Sequence, residues 1–418
     1  MRFTVLKILC DVLENGKYSN LELISGLENL SDKDKALATN IIYGVLQNKM
    51  RIDMVIKTYS NIPLKKISPD VLNILRMGIY QALFMDKIPA YAITNESIKL
   101  VKKCRKTSAS GFVNAVLRGV LRDDKNVKYP EDRLEYLSVY YSCPLWIIKM
   151  WDKMFPNKLE NILLSMNEKP AFSVRVNTLK ISVDEFIKMR GGERSKLQKD
   201  VVLLSSGTDV KNDDLFIKGY YYPQDEASAM VAEILAPKKG QRVMDLCAAP
   251  GGKTTHIAQI MKNEGEIFAF DIYEHKLEII KNTAARLGVD IIHTRLGDAT
   301  ELKEEFIGTA DCVLVDAPCS GLGILRRKPE IRYMKKEEDL SELAALQGRI
   351  LSVAAKYVKK GGTLLYSTCT ISDVENDAVT KEFIENHKDF ELAIEPLQLL
   401  PCDGGSDGFY IAKFTKTR

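Results

Sequence analysis

The sequence predicts an α/β chain: a doubly wound, mainly parallel sheet in the C-terminal half, preceded by an all-helical domain and a small α+β segment. Three observations carry this reading. Short apolar runs alternate with helix-period stretches from about Tyr220 onward. Up to about Arg122 the apolar residues recur at helical spacing. The 418 residues exceed what one hydrophobic core commonly organises, which favours two or three domains.

The helical domain is expected over 1–125. Its periodic sets include Ile52, Val55, Ile56 and Tyr59, then Leu72, Leu75, Ile79 and Leu83, then Val113, Val116, Leu117 and Val120. Ser31 stands three residues before Asp34 at the capping-box offset, and Ser68 precedes Pro69 as an N-cap before a proline at the first helical position. The polar stretch Asp123-Asp124-Lys125-Asn126, with Pro130 soon after, reads as a linker into a small segment over 126–222. That segment holds Trp146, Trp151 and a strand candidate, Phe172-Ser173-Val174-Arg175-Val176-Asn177, and carries no catalytic signature.

The last domain is expected over 223–418. Its strands are predicted at 242–246, 267–271, 290–294, 312–316 and 363–367, separated by helical stretches. In such a sheet ligands bind at the carboxyl ends of the strands near the switch point. There the turn after Leu246, Asp271, Asp316 and Cys369 would converge.

Composition narrows the chemistry. With 45% hydrophobic residues the chain is globular, and a net charge of +4 allows a polyanionic partner without demanding one. Eight cysteines occur without a CxxC pair or zinc-like spacing, so a reducing compartment is expected and a structural metal is not. The N-terminus is interrupted by charge at Lys7 and Asp11, and no membrane-length apolar run follows, so a soluble, cytoplasmic protein is expected.

The run Asp245-Leu246-Cys247-Ala248-Ala249-Pro250-Gly251-Gly252-Lys253-Thr254-Thr255 follows an apolar strand and opens a helix. It is neither GxGxxG nor a phosphate loop, which disfavours a dinucleotide or triphosphate. Glycines let the backbone approach a ligand closely, and a helix N-terminus offers free N–H groups to a carboxylate such as that of a methionine moiety. Asp271, about twenty residues beyond Gly251, stands where a carboxylate accepts ribose hydroxyls. Asp298 is expected near the adenine amino group. Any glycine-rich strand-to-helix turn also packs tightly without a ligand; Asp271 and Asp316 at strand ends weigh against that reading here.

Two cysteines follow strand-like runs: Cys319 in Asp316-Ala317-Pro318-Cys319-Ser320-Gly321 and Cys369 in Tyr366-Ser367-Thr368-Cys369-Thr370. Beside a methyl-donor site, a thiol suggests attack on a pyrimidine. Cytosine C5 is a poor nucleophile until a thiolate adds at C6, after which C5 can take a methyl group. Asp316 could bond the exocyclic amine and N3 of the base. Lys253 or a helix N-terminus could lower the thiol pKa. Either cysteine alone would be read as a small apolar residue, as are Cys10, Cys104, Cys143, Cys247, Cys312 and Cys402, the last six with that role or incidental backbone contacts.

Together these motifs resemble the RNA 5-methylcytosine methyltransferases, which use S-adenosylmethionine and carry both an Asp-Ala-Pro-Cys-Ser-Gly and a Ser-Thr-Cys motif. The resemblance implies a Rossmann-like class I methyltransferase domain. It also implies that Cys369 is the nucleophile and Cys319 assists product release. By the same resemblance Cys247, Ala248, Ala249, Pro250, Gly251, Gly252, Lys253, Asp271, Asp298 and Asp316 match cofactor-binding positions. Pro223-Gln224-Asp225-Glu226-Ala227-Ser228, the stretch from Gly321 to Glu330, and Asp407-Gly408-Phe409-Tyr410-Ile411-Ala412 match further motifs. The N-terminal helices resemble the RNA-binding domain of the antitermination factor NusB. That combination implies methylation of one cytosine in 16S ribosomal RNA before the subunit is complete. Separately, a monomer with no DNA or membrane partner is expected.

Two basic clusters could hold phosphates: Lys99, Lys102, Lys103, Arg105 and Lys106, and, beside the Cys319 motif, Arg326, Arg327, Lys328 and Arg332. Charge runs are commonly solvated faces, and adjacency to the site favours the second cluster. A target base must be unstacked to reach Cys369. The four histidines adjoin neither cysteine motif. A transfer RNA cytosine-C5 methyltransferase would share these site residues, and a non-catalytic RNA-binding factor would be expected to have lost one of them.

Overall fold

The computed structural model describes residues 1–123, 127–205 and 210–418. Asp124, Lys125 and Asn126 of the expected linker lie outside them. The described chain forms two compact units, Met1–Glu168 with Leu325–Lys336, and Lys169–Ile324 with Glu337–Arg418. The 126–222 segment is thus shared between them. No helix among the described residues is long and apolar enough to cross a membrane.

The first unit is helical. Helices Arg2–Asn15, Asp32–Gln47, Lys49–Tyr59, Pro69–Phe84 and Ser110–Arg122 bury one core that includes Leu9, Ile41, Val45, Ile56, Leu75, Val113 and Leu117. The Ser31 hydroxyl accepts from Asp34 N–H as the spacing predicts. Ser68 is an N-cap by backbone geometry, with Pro69 at the start of the helix, but its hydroxyl makes no capping bond. Glycine at position 44 is required by packing, since a Cβ there would overlap the ring of Tyr80.

The segment 325–336 is held in this unit by charged residues, which corrects the phosphate-binding role expected of Arg326 and Arg332 in its basic cluster. Arg332 is 1% exposed. Its guanidinium donates to the carbonyls of Tyr141, Ser142 and Met166 and to Asn167 Oδ1. Those carbonyls follow the helices Arg133–Tyr140 and Leu159–Ser165, whose C-terminal ends carry partial negative charge. Glu330 accepts from the N–H and hydroxyl of Ser19 at the start of helix Ser19–Gly26, the complementary arrangement. Arg326 is also buried.

In the second unit strands β1 (Phe172–Val176), β2 (Glu193–Arg194), β3 (Val201–Leu204) and β4 (Tyr221–Pro223) make an antiparallel sheet in the order β2-β3-β1-β4. The larger sheet comprises β5 (Arg242–Asp245), β6 (Glu266–Asp271), β7 (Ile292–Leu296), β8 (Ala310–Asp316), β9 (Val358–Thr368), β10 (Phe390–Leu392), β11 (Leu397–Leu399) and β12 (Phe409–Lys416). Its order is β10-β12-β9-β8-β5-β6-β7, with β11 on β12. The strands from β7 to β9 are mutually parallel, and β12 is antiparallel to β9. Buried on both faces, β8 reads as a near-continuous apolar run, Ala-Asp-Cys-Val-Leu-Val-Asp. The strand order reverses between β5 and β8, which places the switch point there.

Candidate active site

The register of β8 on β9 brings the two cysteine motifs together. Asp316 lies opposite Ser367, and Ala317 N–H donates to Ser367 O, so the ladder continues to the last residues before both loops. The sulfurs of Cys319 and Cys369 consequently lie 3.4 Å apart. The contact with Cys369, then burial, then the Cys369, Glu375 and Asp316 charges push the Cys319 thiol well above its ordinary value. An S–H on either sulfur is within hydrogen-bond reach of the other.

Beside the thiols, Lys253 Nζ donates to Asp316 Oδ2 at 2.6 Å, and the Ser367 hydroxyl donates to Asp316 Oδ1 at 2.9 Å. Burial pulls the Lys253 ammonium down, but Asp316 and the Cys369 sulfur more than offset this and hold it charged. The ammonium also lies 5.1 Å from the Phe409 ring centroid in the closing motif.

Cys247 to Gly251 form the turn from β5 into helix Gly252–Ile260, and Gly251 caps that helix at φ 97°, a conformation natural to glycine. The turn is tied to the sheet by Ala248 N–H on Phe270 O. Burial drives the Cys247 thiol upward, so it is a neutral group. Asp245, at the end of β5, is 1% exposed. Its Oδ2 accepts from Thr254 Oγ1 at 2.7 Å. Burial raises this carboxyl to about 7, against the bonds that Thr254 and the backbone offer it.

Asp271 ends β6 and takes Tyr273 N–H on one oxygen; Ile272 and Tyr273, next to it, are more than half exposed. An acidic strand end beside open apolar surface fits the ribose and purine of an adenosine. Asp298 lies beyond β7 with Oδ1 bonded to the N–H and hydroxyl of Thr300, which hold its carboxyl below the usual range. The helix N-terminus, the glycine turn and these carboxylates suit S-adenosylmethionine.

Three contributors were not singled out from the sequence. Arg175, from β1 in the segment without a catalytic signature, is 1% exposed and reaches under the turn. It donates to Gln224 Oε1, to the Gly252 carbonyl and to Thr255 Oγ1. An arginine inside an apolar strand was the available signal. Glu375 and Gln347 are fully buried behind the Cys319 loop, and nothing in their sequence context marks them.

Comparison with known proteins places these observations. Residues 232–415 match the family model described as 16S rRNA methyltransferase RsmB/F. Residues 1–122 match the NusB family, and 143–210 match an RsmF/B-like, ferredoxin-like domain. The chain is 38% identical over 442 residues to a probable ribosomal RNA small subunit methyltransferase B of Bacillus subtilis, an alignment spanning 100% of this chain and 98% of that protein. The chain belongs to the RsmB/F family. Another RsmB/F relative, the ribosomal RNA small subunit methyltransferase B of Shewanella oneidensis, is 33% identical, with 100% and 99% of the two chains covered. The crystal structure of PH0851 superposes at a TM-score of 0.85 and 28% identity, covering 100% of this chain and 99% of its own. NSun6 from Pyrococcus horikoshii, solved with SFG, superposes at 0.58 and 25% identity over 69% of this chain and 98% of its own. As an RsmB/F protein the chain is a S-adenosylmethionine-dependent RNA methyltransferase with a NusB-like helical domain and a Rossmann-like catalytic domain.

Proposed function

We propose that the enzyme methylates C5 of one cytosine in 16S ribosomal RNA through a covalent adduct between Cys369 and C6 of the base. The reading rests on two sulfurs 3.4 Å apart at the ends of β8 and β9, beside the Lys253–Asp316 pair. Cys247 to Lys253, Asp271, Asp298 and Asp316 would hold the methyl donor, whose sulfonium supplies an electrophilic methyl group. The Cys369 thiolate adds to C6, and Lys253 keeps positive charge beside it. Asp316 accepts from the exocyclic amine and directs the base. Once C5 carries the methyl group, its proton passes to water and the C6–S bond breaks. Cys319 S–H then donates to the departing Cys369 sulfur and stabilises it as a thiolate, which is its part in release.

The exposed cluster Lys99, Lys102, Lys103, Arg105 and Lys106, at the end of helix Ala90–Lys103, suits RNA phosphates. We assign RNA binding to 1–125, a connecting subdomain to 126–222 and catalysis to 223–418, in a cytoplasmic monomer. The test is donor-dependent release of tritium from protein-free 16S RNA labelled at cytosine C5. Wild type should release it and Cys369→Ala should not; wild-type release from transfer RNA but not from 16S RNA would overturn the substrate assignment.

A further inference from the structure

The two thiol loops are joined behind the sulfurs by a buried polar network that the proposed chemistry does not use. Glu375, fully buried, accepts Ser320 N–H at 2.8 Å on Oε2 and the Ser320 hydroxyl on Oε1. Gln347, on helix Glu338–Tyr357, donates from Nε2 to Glu375 Oε2 at 3.1 Å and to the Pro318 carbonyl at 3.0 Å. The Cys319 loop is therefore held on both sides of its thiol. Ser320 and Thr370 hydroxyls lie 2.7 Å apart, and Leu322 N–H donates to Thr370 Oγ1. An ionised carboxylate only accepts, so the hydroxyl order is fixed: Thr370 donates to Ser320, and Ser320 to Glu375. Residues 319 and 369 are each followed directly by a member of this chain. The backbone carbonyl of Glu375 is fixed in turn by Tyr366 O–H at 2.6 Å.

We infer that Glu375 is a positioning residue for the methyl transfer, fixing the Cys319 loop so that its thiol stays within reach of the Cys369 sulfur and the thiolate can leave. The inference rests on the proposed two-thiol reaction. The charges bearing on Cys319 are Cys369, Glu375 and Asp316, all negative when ionised, with Lys253 balancing Asp316. Glu375 alone of these makes no contact expected of the base or the donor. Its negative charge favours the protonated Cys319 thiol, and its three accepted bonds fix where that thiol points. Loss of the carboxylate should spare Cys369 attack and slow the breakdown of the adduct.

The test compares wild type, Glu375→Gln and Glu375→Asp as full-length proteins with 16S RNA and S-adenosylmethionine, resolving covalent RNA–protein complex on a denaturing gel. Glu375→Gln presents an amide N–H₂ where two donors converge, so adduct should accumulate and its decay slow ~10- to 100-fold, within the range of misplaced acid–base groups. Glu375→Asp, which keeps the charge, should restore most of the decay rate. S-adenosylmethionine affinity of both variants should stay near wild type, which a collapsed site would not allow. Decay in Glu375→Gln at the wild-type rate would overturn the inference, as would equal impairment of both variants together with lost donor binding. RNA carrying 5-fluorocytosine, whose C5 cannot lose a proton, separates the two levels. If wild type itself fails to trap there, the two-thiol reaction is wrong. If wild type traps and Glu375→Gln releases normally from ordinary RNA, only the role of Glu375 is.

Discussion

Gly323 offers the sharpest steric test of the site. A Cβ at this position would lie 2.0 Å from Gly408 O, 2.6 Å from Gly408 C and 2.9 Å from Cys369 O. Unstrained contacts need about 3.5 Å, so the backbones must part by more than ~1 Å. All three obstacles are main chain, and none can swing aside as a side chain would. The same residue donates its N–H to Cys369 O at 3.0 Å and accepts Gly408 N–H at 2.9 Å. Losing both bonds costs about 2 kcal/mol, and forced overpacking adds roughly 1–3 kcal/mol, giving about 3–5 kcal/mol for Gly323→Ala. Because the displaced carbonyl belongs to Cys369, the proposed nucleophile moves with it, and a shift near 1 Å costs ~10²-fold in rate. The assay is single-turnover methyl transfer to 16S RNA, run beside thermal unfolding. A Gly323→Ala enzyme within threefold of wild type and with an unchanged unfolding temperature would refute the packing described here.

Three further outcomes are expected. Arg332→Ala leaves Met166 O and Asn167 Oδ1 without this donor, whereas Tyr141 O keeps Asn167 Nδ2 and Ser142 O keeps Tyr333 O–H. Stability should fall by roughly 2–4 kcal/mol in denaturant unfolding. The salt dependence of RNA binding should be unchanged, and a slope shallower by about one would instead mark a phosphate contact. Asp245 titrates near 3.8 when unfolded and near 7 when folded, so the folded chain keeps a proton that the unfolded chain has released. Stability of the donor-free protein should therefore decline as pH rises from about 4 to 7, by up to roughly 4 kcal/mol, and level off above. Asp245→Asn should flatten that slope, and an identical slope in the variant would place its origin elsewhere. Lys253→Met removes the cation beside Asp316 and the Cys369 sulfur, and adduct formation on 5-fluorocytosine RNA should slow ~10²-fold. Formation at the wild-type rate would show that the thiolate is stabilised by other groups.

The methyltransferase sheet was readable in outline because a strand buried on both faces needs a near-continuous apolar run, as at 312–315 and, broken only by Asp245, at 243–246. Its edges were less so. β9 starts at Val358, because Lys359-Lys360-Gly361-Gly362 looks like a turn although it belongs to the strand. β7 runs two residues beyond the expected 294, its exposed His293 and Arg295 masking a strand that is half solvated. Cys319 and Cys369 could be paired from sequence through the topology of parallel sheets, since both follow strands ending on one side. Arg332 misled for a definite reason: a charge run reports its own residues, while its partners lie at 141–167, far away in the chain. Glu375 and Gln347 were invisible on the same ground. A buried polar network has no period, and its members come from a loop and a helix with unrelated patterns.

The segment 325–336 has a consequence for how the protein is made. Leu325, Ile331 and Arg332 are buried, and their unit otherwise ends at Glu168. The helical unit therefore lacks part of its interior until residue 336 has been synthesised, 168 positions after Glu168 (336 − 168). At ~5–20 residues per second that is a delay of roughly 8–34 s, during which the Ser142 and Met166 carbonyls await their guanidinium. Vectorial folding, in which an N-terminal domain finishes before its successor emerges, does not apply to this chain.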